Sequence, residues 1–173
     1  MVFGRDKSAL PSYEIGQLEK SLISAAPVFD LTTALGIRNG VLLALDFSQT
    51  VSGTHKGCSY SSMFLKAIKD GRIKEDTRIV EFTSGRGGEA AARIAKLLGL
   101  EADIVMPEGI TPEREEVLRI NSNLILTPES LWIPGSIARA NEILEADPEH
   151  TFLINQSANP DNPKGIQGVV RAN

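Results

Sequence analysis

The sequence predicts an α/β fold, a parallel sheet with helices on both faces, stacked as three α/β/α layers. Short apolar runs of strand length alternate with helical patterns at least four times along the 173 residues. Parallel strands need crossover connections, which helices provide, so this alternation is typical of a sheet covered on both faces. Ligands of such sheets bind at the carboxyl ends of the strands, in the loops that lead into helices.

The predicted strands run from residue 26 to residue 155. Residues 26–35 are expected to form a short strand and a turn, after an amphipathic helix over residues 13–24. The apolar run at residues 41–47 has the composition of a strand buried on both faces. Further strands are expected at residues 77–82, 102–107, 123–128 and 151–155.

Helices are expected between these strands. Apolar residues recur at helical spacing over residues 60–68 and again over residues 91–98. Gly71 and Gly99 follow these two segments and suit the position directly after a helix. A further helix is expected over residues 134–146.

Composition narrows the classes of function. Apolar residues make up 42% and charged residues 23%, which is typical of a globular domain with its own core. The net charge of −4 disfavours nucleic acid and anionic membranes as main partners, because both attract concentrated positive charge. Cys58 is the single cysteine, so no internal disulfide is possible, and no metal site is expected. We expect a cytoplasmic protein without a signal peptide or a membrane span.

Lys56 lies in a run of small and polar residues, SGTHKGCSYSS (residues 52–62), between a predicted strand and a predicted helix. Most lysines are solvated surface residues, and that explanation is open here too. A cation at a helix N-terminus, however, faces the positive end of the helix dipole. That field, together with burial, favours the neutral amine, which can form a Schiff base with an aldehyde. Lys56 is therefore a candidate catalytic residue.

The segment TSGRGGE (residues 83–89) follows a predicted strand and opens a helix. Glycines let a ligand approach the backbone, and free N–H groups at a helix start bind carboxylates or phosphates. Thr83 and Ser84 add hydroxyl donors. A tight turn without a ligand is one alternative. A dinucleotide site is another, since Glu108 lies where a ribose-binding acid is expected, although the glycines do not match G-x-G-x-x-G.

Three separated segments resemble the fold type II pyridoxal-phosphate enzymes, in the cysteine synthase and cystathionine β-synthase group. SGTHKG resembles the P-T-G-[ST]-x-K segment of that family, TSGRGG resembles T-S-G-N-T-G, and NQSANPDNP resembles Q-Q-F-x-N-P-A-N-P. The intervening sequence is also similar, so the resemblance covers about residues 28–163. It implies the N-terminal half of that fold and pyridoxal 5′-phosphate as the cofactor.

The resemblance also implies roles for individual residues. Lys56 corresponds to the lysine that carries the cofactor and moves the substrate α-proton, and Arg86 occupies a cofactor-contacting position. The implied reaction is β-elimination or β-replacement on an amino acid through an aminoacrylate, in a lyase or transferase of cysteine biosynthesis. The substrate carboxylate would be held by five residues from two loops: Thr83, Ser84, Gly85, Gly87 and Gln156.

Four positions depart from the family pattern. Arg86 replaces an asparagine, Gly87 replaces a threonine, and Gly57-Cys58 replaces an Asp-Arg pair. Arginine is long and always charged, so Arg86 could pair with an anion of the cofactor or substrate but cannot replace a short neutral donor.

The family's glycine-rich phosphate loop, G-x-G-T-G-G-T, is not found in this sequence. We therefore expect residues 1–45 and 151–173 to belong to an incomplete larger domain, and residues 46–150 to form a smaller α/β domain. A homodimer or a complementing second chain is expected to cover the exposed core and sheet edge. The alternative function is that of a non-catalytic relative or fragment that binds a small anion or a partner.

Overall fold

The computed structural model of the protein describes residues 10, 15, 16, 19, 27–50 and 52–164. Most of the predicted helix over residues 13–24 therefore lies outside the described residues. Six strands are found in the described part of the chain: β1 (Val28–Asp30), β2 (Leu43–Leu45), β3 (Arg78–Phe82), β4 (Ala102–Pro107), β5 (Asn123–Thr127) and β6 (Thr151–Leu153). The α-helices described between them are α1 (Lys56–Lys69), α2 (Arg86–Leu97), α3 (Pro112–Asn121) and α4 (Trp132–Ala146).

The main sheet is parallel, as predicted. Its strand order is β5-β4-β3-β6, and helices alternate with strands along the chain. The register pairs Ile79 of β3 with Ala102 of β4, and Val80 of β3 with Leu153 of β6. Because these strands all run the same way, their carboxyl ends meet at one edge of the sheet. The loop that opens α2 and the turn that follows β6 both start from this edge.

Helices cover both faces of this sheet. On one face, Ile79 and Ile104 belong to a buried cluster with residues of α1, α2 and α3. On the other face, Val80 and Val105 pack with Ala140 of α4. Alternate residues of a strand point to opposite faces, so strands such as β4 must be apolar nearly throughout. The predicted α/β/α layering is confirmed.

Glycines follow the first two helices, as the sequence predicts. Gly71 and Gly99 have φ angles of 70° and 74° directly after the C-caps of α1 and α2. Glycine adopts this left-handed conformation without a steric penalty. The last helix, α4, begins at Trp132 rather than at residue 134. In the part of the chain that the structure describes, the helices fall short of the length and apolar character that a membrane span requires.

The prediction of a strand buried on both faces at residues 41–47 is wrong. Only Leu43–Leu45 form a strand, which pairs antiparallel with β1 outside the main sheet. Val41 and Leu43 are 71% and 53% exposed. A run of apolar residues shows the capacity for burial but does not show which layer covers it. The two-stranded β1–β2 ribbon has no such layer within the described residues.

Candidate active site

Lys56 is the first residue of α1 and is half-buried. Its backbone N–H donates to Thr54 Oγ1 at 3.1 Å, which satisfies one of the free donors at the helix start. The Ser52 hydroxyl in turn donates to the carbonyl oxygen of Thr54 at 3.1 Å, and both of these residues are buried. Residues 52–56, termed the lysine loop below, are thus held by buried hydroxyl groups.

Gly57 packs tightly on the lysine loop. A Cβ atom at this position would lie 2.0 Å from Ser52 Oγ and 2.9 Å from Ser52 Cβ. Such distances are far below van der Waals contact, so a larger residue would displace the loop. The glycine that replaces the family's aspartate therefore has a local steric reason.

The loop between β3 and α2, residues 83–87, is termed the glycine-rich loop below. Gly85 is the N-cap of α2 and Arg86 is its first residue. Thr83 Oγ1 accepts the N–H of Gly85 at 3.1 Å, and Arg114 donates to the Ser84 carbonyl oxygen at 3.2 Å. The Ser84 side chain is exposed at the helix start. A carboxylate there would meet a hydroxyl donor and the positive end of the helix dipole.

Gln156 lies at the same edge of the sheet as the glycine-rich loop. It follows β6, which is the direct parallel neighbour of β3. Its backbone N–H donates to Glu81 Oε2 at 3.3 Å and so links the turn after β6 to the strand that leads into the loop. The structure thus places Gln156 and the loop from Thr83 to Gly87 after neighbouring strands, at the same edge of the sheet. Their roles in binding stay predictions.

Helix α1 reaches the glycine-rich loop through Tyr60, one helical turn after Lys56. Tyr60 is fully buried, and its hydroxyl oxygen lies 2.6 Å from the point that a Cβ atom would occupy at Gly87. The polar group beside this hydroxyl is the Glu81 carboxyl, although the two form no hydrogen bond of good geometry in the described ranges. Burial raises the pKa of the Tyr60 hydroxyl well above its usual value, and the neighbouring Glu81 carboxyl raises it further.

Glu81 is a buried acid in β3, with 1% of its surface exposed. Burial raises the pKa of its carboxyl to about 8, although the N–H groups of Gln156 and Phe82 favour the charged form. In the sequence, residue 60 belongs to the apolar face of a predicted helix, and no motif includes Glu81. The available signal was an acid at a core-facing position of a predicted strand.

Comparison with known proteins identifies the family. A family model described as "Pyridoxal-phosphate dependent enzyme" matches residues 22–172. The chain belongs to this family. Cysteine synthase A of Salmonella typhi is 36% identical over 129 residues, which are 74% of this chain and 40% of that relative. Cysteine synthase B of Campylobacter jejuni is 39% identical over 101 residues, which are 58% of this chain and 33% of that relative.

Solved structures place this pyridoxal-phosphate family member in fold type II. The cysteine synthase of Entamoeba histolytica superposes with a TM-score of 0.78 at 26% identity, over 99% of this chain and 50% of that chain. The O-acetylserine dependent cystathionine β-synthase of Helicobacter pylori gives a TM-score of 0.73 at 28% identity, over 87% of this chain and 52% of that chain. The resemblance to the cysteine synthase group is confirmed. The chain spans about half the length of these two structures, and 40% of the length of the Salmonella typhi relative.

The residues of the site fit the cofactor of this family, pyridoxal 5′-phosphate. Lys56 lies at the start of α1 beside the buried hydroxyl groups of Ser52 and Thr54. In the glycine-rich loop, no atom lies within 4 Å of a Cβ at Gly85, so the loop is open there. The Arg86 side chain is 61% exposed, with Nη1 3.8 Å from Glu89 Oε2, so it is available for an anion. Glu108, the acid of the dinucleotide alternative, is exposed directly after β4. Among the described residues, no cluster of three metal-ligating side chains occurs.

Proposed function

We propose that this chain supplies the catalytic lysine and the carboxylate-binding loops of a pyridoxal-phosphate-dependent lyase or transferase of the cysteine synthase type. The substrate is an amino acid that undergoes β-elimination or β-replacement. One observation carries the proposal. The glycine-rich loop and the turn of Gln156 meet at one sheet edge, where α1, which begins with Lys56, packs against α2.

The carboxylate is proposed to bind between the two loops. The Ser84 hydroxyl and the N–H groups at the start of α2 approach it from one side, and Gln156 approaches it from the other. Thr83 shapes the loop by accepting the N–H of Gly85. At Gly87, in the first turn of the helix, a side chain would collide with Tyr60 and Thr83, so glycine keeps the loop in its position.

Lys56 is proposed to hold the cofactor and, once released from it, to move the proton of the substrate α-carbon through Nζ. The bound cofactor supplies an electron sink that stabilises negative charge at that carbon. Arg86 is proposed to pair with an anionic group of the cofactor, since its guanidinium is exposed at the start of α2. Closure of the glycine-rich loop over the substrate excludes water from the reacting atoms.

A homodimer or a complementing second chain is part of the proposal. The β1–β2 ribbon exposes apolar side chains, including Phe29 and Val41, and such surfaces are normally covered. In this proposal residues 1–45 and 151–173 belong to the larger domain of the complete enzyme and residues 46–150 to the smaller one. The enzyme acts in cysteine biosynthesis in the cytoplasm.

Covalent attachment of pyridoxal 5′-phosphate tests this proposal. The purified chain is mixed with the cofactor, alone and after co-expression with the polypeptide encoded next to it, and the visible spectrum is recorded before and after borohydride. We expect a visible absorbance band and, after reduction, a modified peptide that contains Lys56. Lys56→Ala abolishes both signals. Lys69→Ala, at the exposed end of the same helix, keeps them.

The pattern of signals distinguishes the versions of the proposal. A band in the isolated chain shows that these residues hold the cofactor by themselves. A band that requires the second polypeptide shows a complemented enzyme. Absence of the band in both samples, or labelling that survives Lys56→Ala, overturns the assignment of Lys56.

A second candidate function is binding of a small anion without chemistry. The Ser84 side chain is exposed at the start of α2, and binding of an anion there does not depend on a reactive amine. This function predicts that a simple carboxylate binds equally to wild type and to Lys56→Ala, and that no lysine is labelled by the cofactor.

A further inference from the structure

A buried polar pair lies beneath the glycine-rich loop and has no part in the proposed chemistry. Tyr60 and Glu81 are 0% and 1% exposed, although both side chains carry polar groups. The Tyr60 hydroxyl adjoins the Glu81 carboxyl without forming a hydrogen bond of good geometry in the described ranges. Burying such groups is costly, so their presence at this place requires a physical reason.

Each member of the pair contacts one half of the proposed carboxylate site. The Tyr60 hydroxyl lies directly under Gly87, where it occupies the space that a side chain would need. Glu81 Oε2 accepts the backbone N–H of Gln156 at 3.3 Å. Tyr60 therefore supports the first turn of α2, and Glu81 orients the turn after β6.

The charge of Glu81 is set by a small number of neighbours. From α1 it faces the Tyr60 hydroxyl, and from the backbone it receives the N–H groups of Phe82 and Gln156. Its register partner on β4 is the apolar Ile104, and α2 presents Gly87 close to the pair. In the described part of the chain, no cation is among the groups that act on its ionisation.

We propose that Tyr60 and Glu81 are positioning residues that couple carboxylate binding at the glycine-rich loop to the protonation of Glu81. This inference rests on the proposed carboxylate site. With Glu81 neutral, its carboxyl orients Gln156 without adding charge beneath the loop. With Glu81 ionised, a buried negative charge repels the carboxylate of the ligand, and low polarity makes that repulsion strong.

The pKa of about 8 for Glu81 places this change within an accessible pH range. Below that pH, Glu81 is neutral and binding is tight. Above it, Glu81 is ionised and binding weakens. Tyr60 favours the charged form of Glu81, so removal of its hydroxyl moves the midpoint to higher pH.

Fluoroacetate, followed by ¹⁹F NMR, provides the test because it is a simple carboxylate that needs no cofactor. Its dissociation constant is measured between about pH 6 and pH 10 at constant ionic strength, using the whole chain. We expect binding to be about tenfold weaker at the high end of this range than at the low end, as for a nearby like charge in a protein. Glu81→Gln removes the dependence and binds tightly throughout. Glu101→Gln is the control and retains it, because the Glu101 side chain is 82% exposed directly before β4.

Tyr60→Phe separates a positioning role from a purely structural one. We expect this variant to keep the pH dependence with its midpoint shifted upward, because the ring still fills the core. Binding that does not change with pH in wild type, or a dependence that persists in Glu81→Gln, overturns the inference. If the cofactor still labels Lys56 in that case, the proposed function stands. Absence of fluoroacetate binding at every pH overturns both the carboxylate site and the inference.

Discussion

The hydroxyl oxygen of Tyr60 lies 2.6 Å from the point that a Cβ atom would occupy at Gly87. A hydroxyl on α1 thus takes the space that a side chain on α2 would need. Because Tyr60 is fully buried, its rigid ring has no room to retreat. The threonine of the family pattern at this position and the tyrosine on α1 exclude one another sterically.

Gly87→Ala is expected to destabilise the protein by about 1–3 kcal/mol through overpacking. In the Tyr60→Phe background the cost is expected to fall but not to vanish, since the next contacts, with Thr83 Oγ1 and Tyr60 Cζ, are at 3.2 and 3.4 Å. Chemical denaturation of the four proteins in this double-mutant cycle measures the coupling. Gly85→Ala is the control, because no atom lies within 4 Å of a Cβ there. Equal costs of Gly87→Ala in both backgrounds would contradict the steric relationship.

Glu81 is expected to make stability fall as pH rises. Its pKa is raised to about 8 in the folded protein from an ordinary value of 4.5, so the folded state binds more protons than the unfolded state between these values. Unfolding free energy therefore declines by up to about 1.4 kcal/mol for each pH unit in that window and levels off above it. Urea denaturation at several pH values measures the slope. Glu81→Gln should flatten it, and an unchanged slope in this variant would refute the role of Glu81.

Gly57→Ala is expected to disturb the lysine loop. Its Cβ would lie 2.0 Å from Ser52 Oγ, so the variant should lose about 1–3 kcal/mol of stability. Ser52→Gly removes both close atoms, and the remaining contact, Thr50 Oγ1, is at 3.6 Å. Thermal unfolding should therefore show a smaller effect of Gly57→Ala when Ser52→Gly is present. A full effect in the Ser52→Gly background would mean that another contact fixes the glycine.

Asn155 has a φ of 49°, in the left-handed region, and directly precedes Gln156. Asparagine tolerates this conformation better than most residues, and glycine tolerates it best. Asn155→Ala is expected to cost about 1 kcal/mol, whereas Asn155→Gly should be close to neutral. Equilibrium denaturation of the two variants compares these costs. Equal losses would indicate that the asparagine side chain, not the backbone conformation, matters.

Much of the fold could be predicted because its signals are local. Apolar periodicity placed α1 and α2, and the short apolar runs placed β3 to β6 within a residue or two. The left-handed angles of Gly71 and Gly99 follow from the preference of glycine for helix ends. The prediction of a buried strand at residues 41–47 was wrong because burial depends on what packs against a strand. The sequence of one segment does not show which other elements pack against it.

The amino-acid sequence by itself determined the parallel α/β architecture, the family and the positions of Lys56, the glycine-rich loop and Gln156, because these depend on periodicity and short motifs. Only the tertiary structure showed that Ser52 leaves no room for a side chain at Gly57, and that Tyr60 leaves none at Gly87. It also showed that Glu81 is a buried acid that accepts a hydrogen bond from the backbone of Gln156. These relationships join residues as many as 75 positions apart. Steric exclusion and burial act through space, so no local pattern records them.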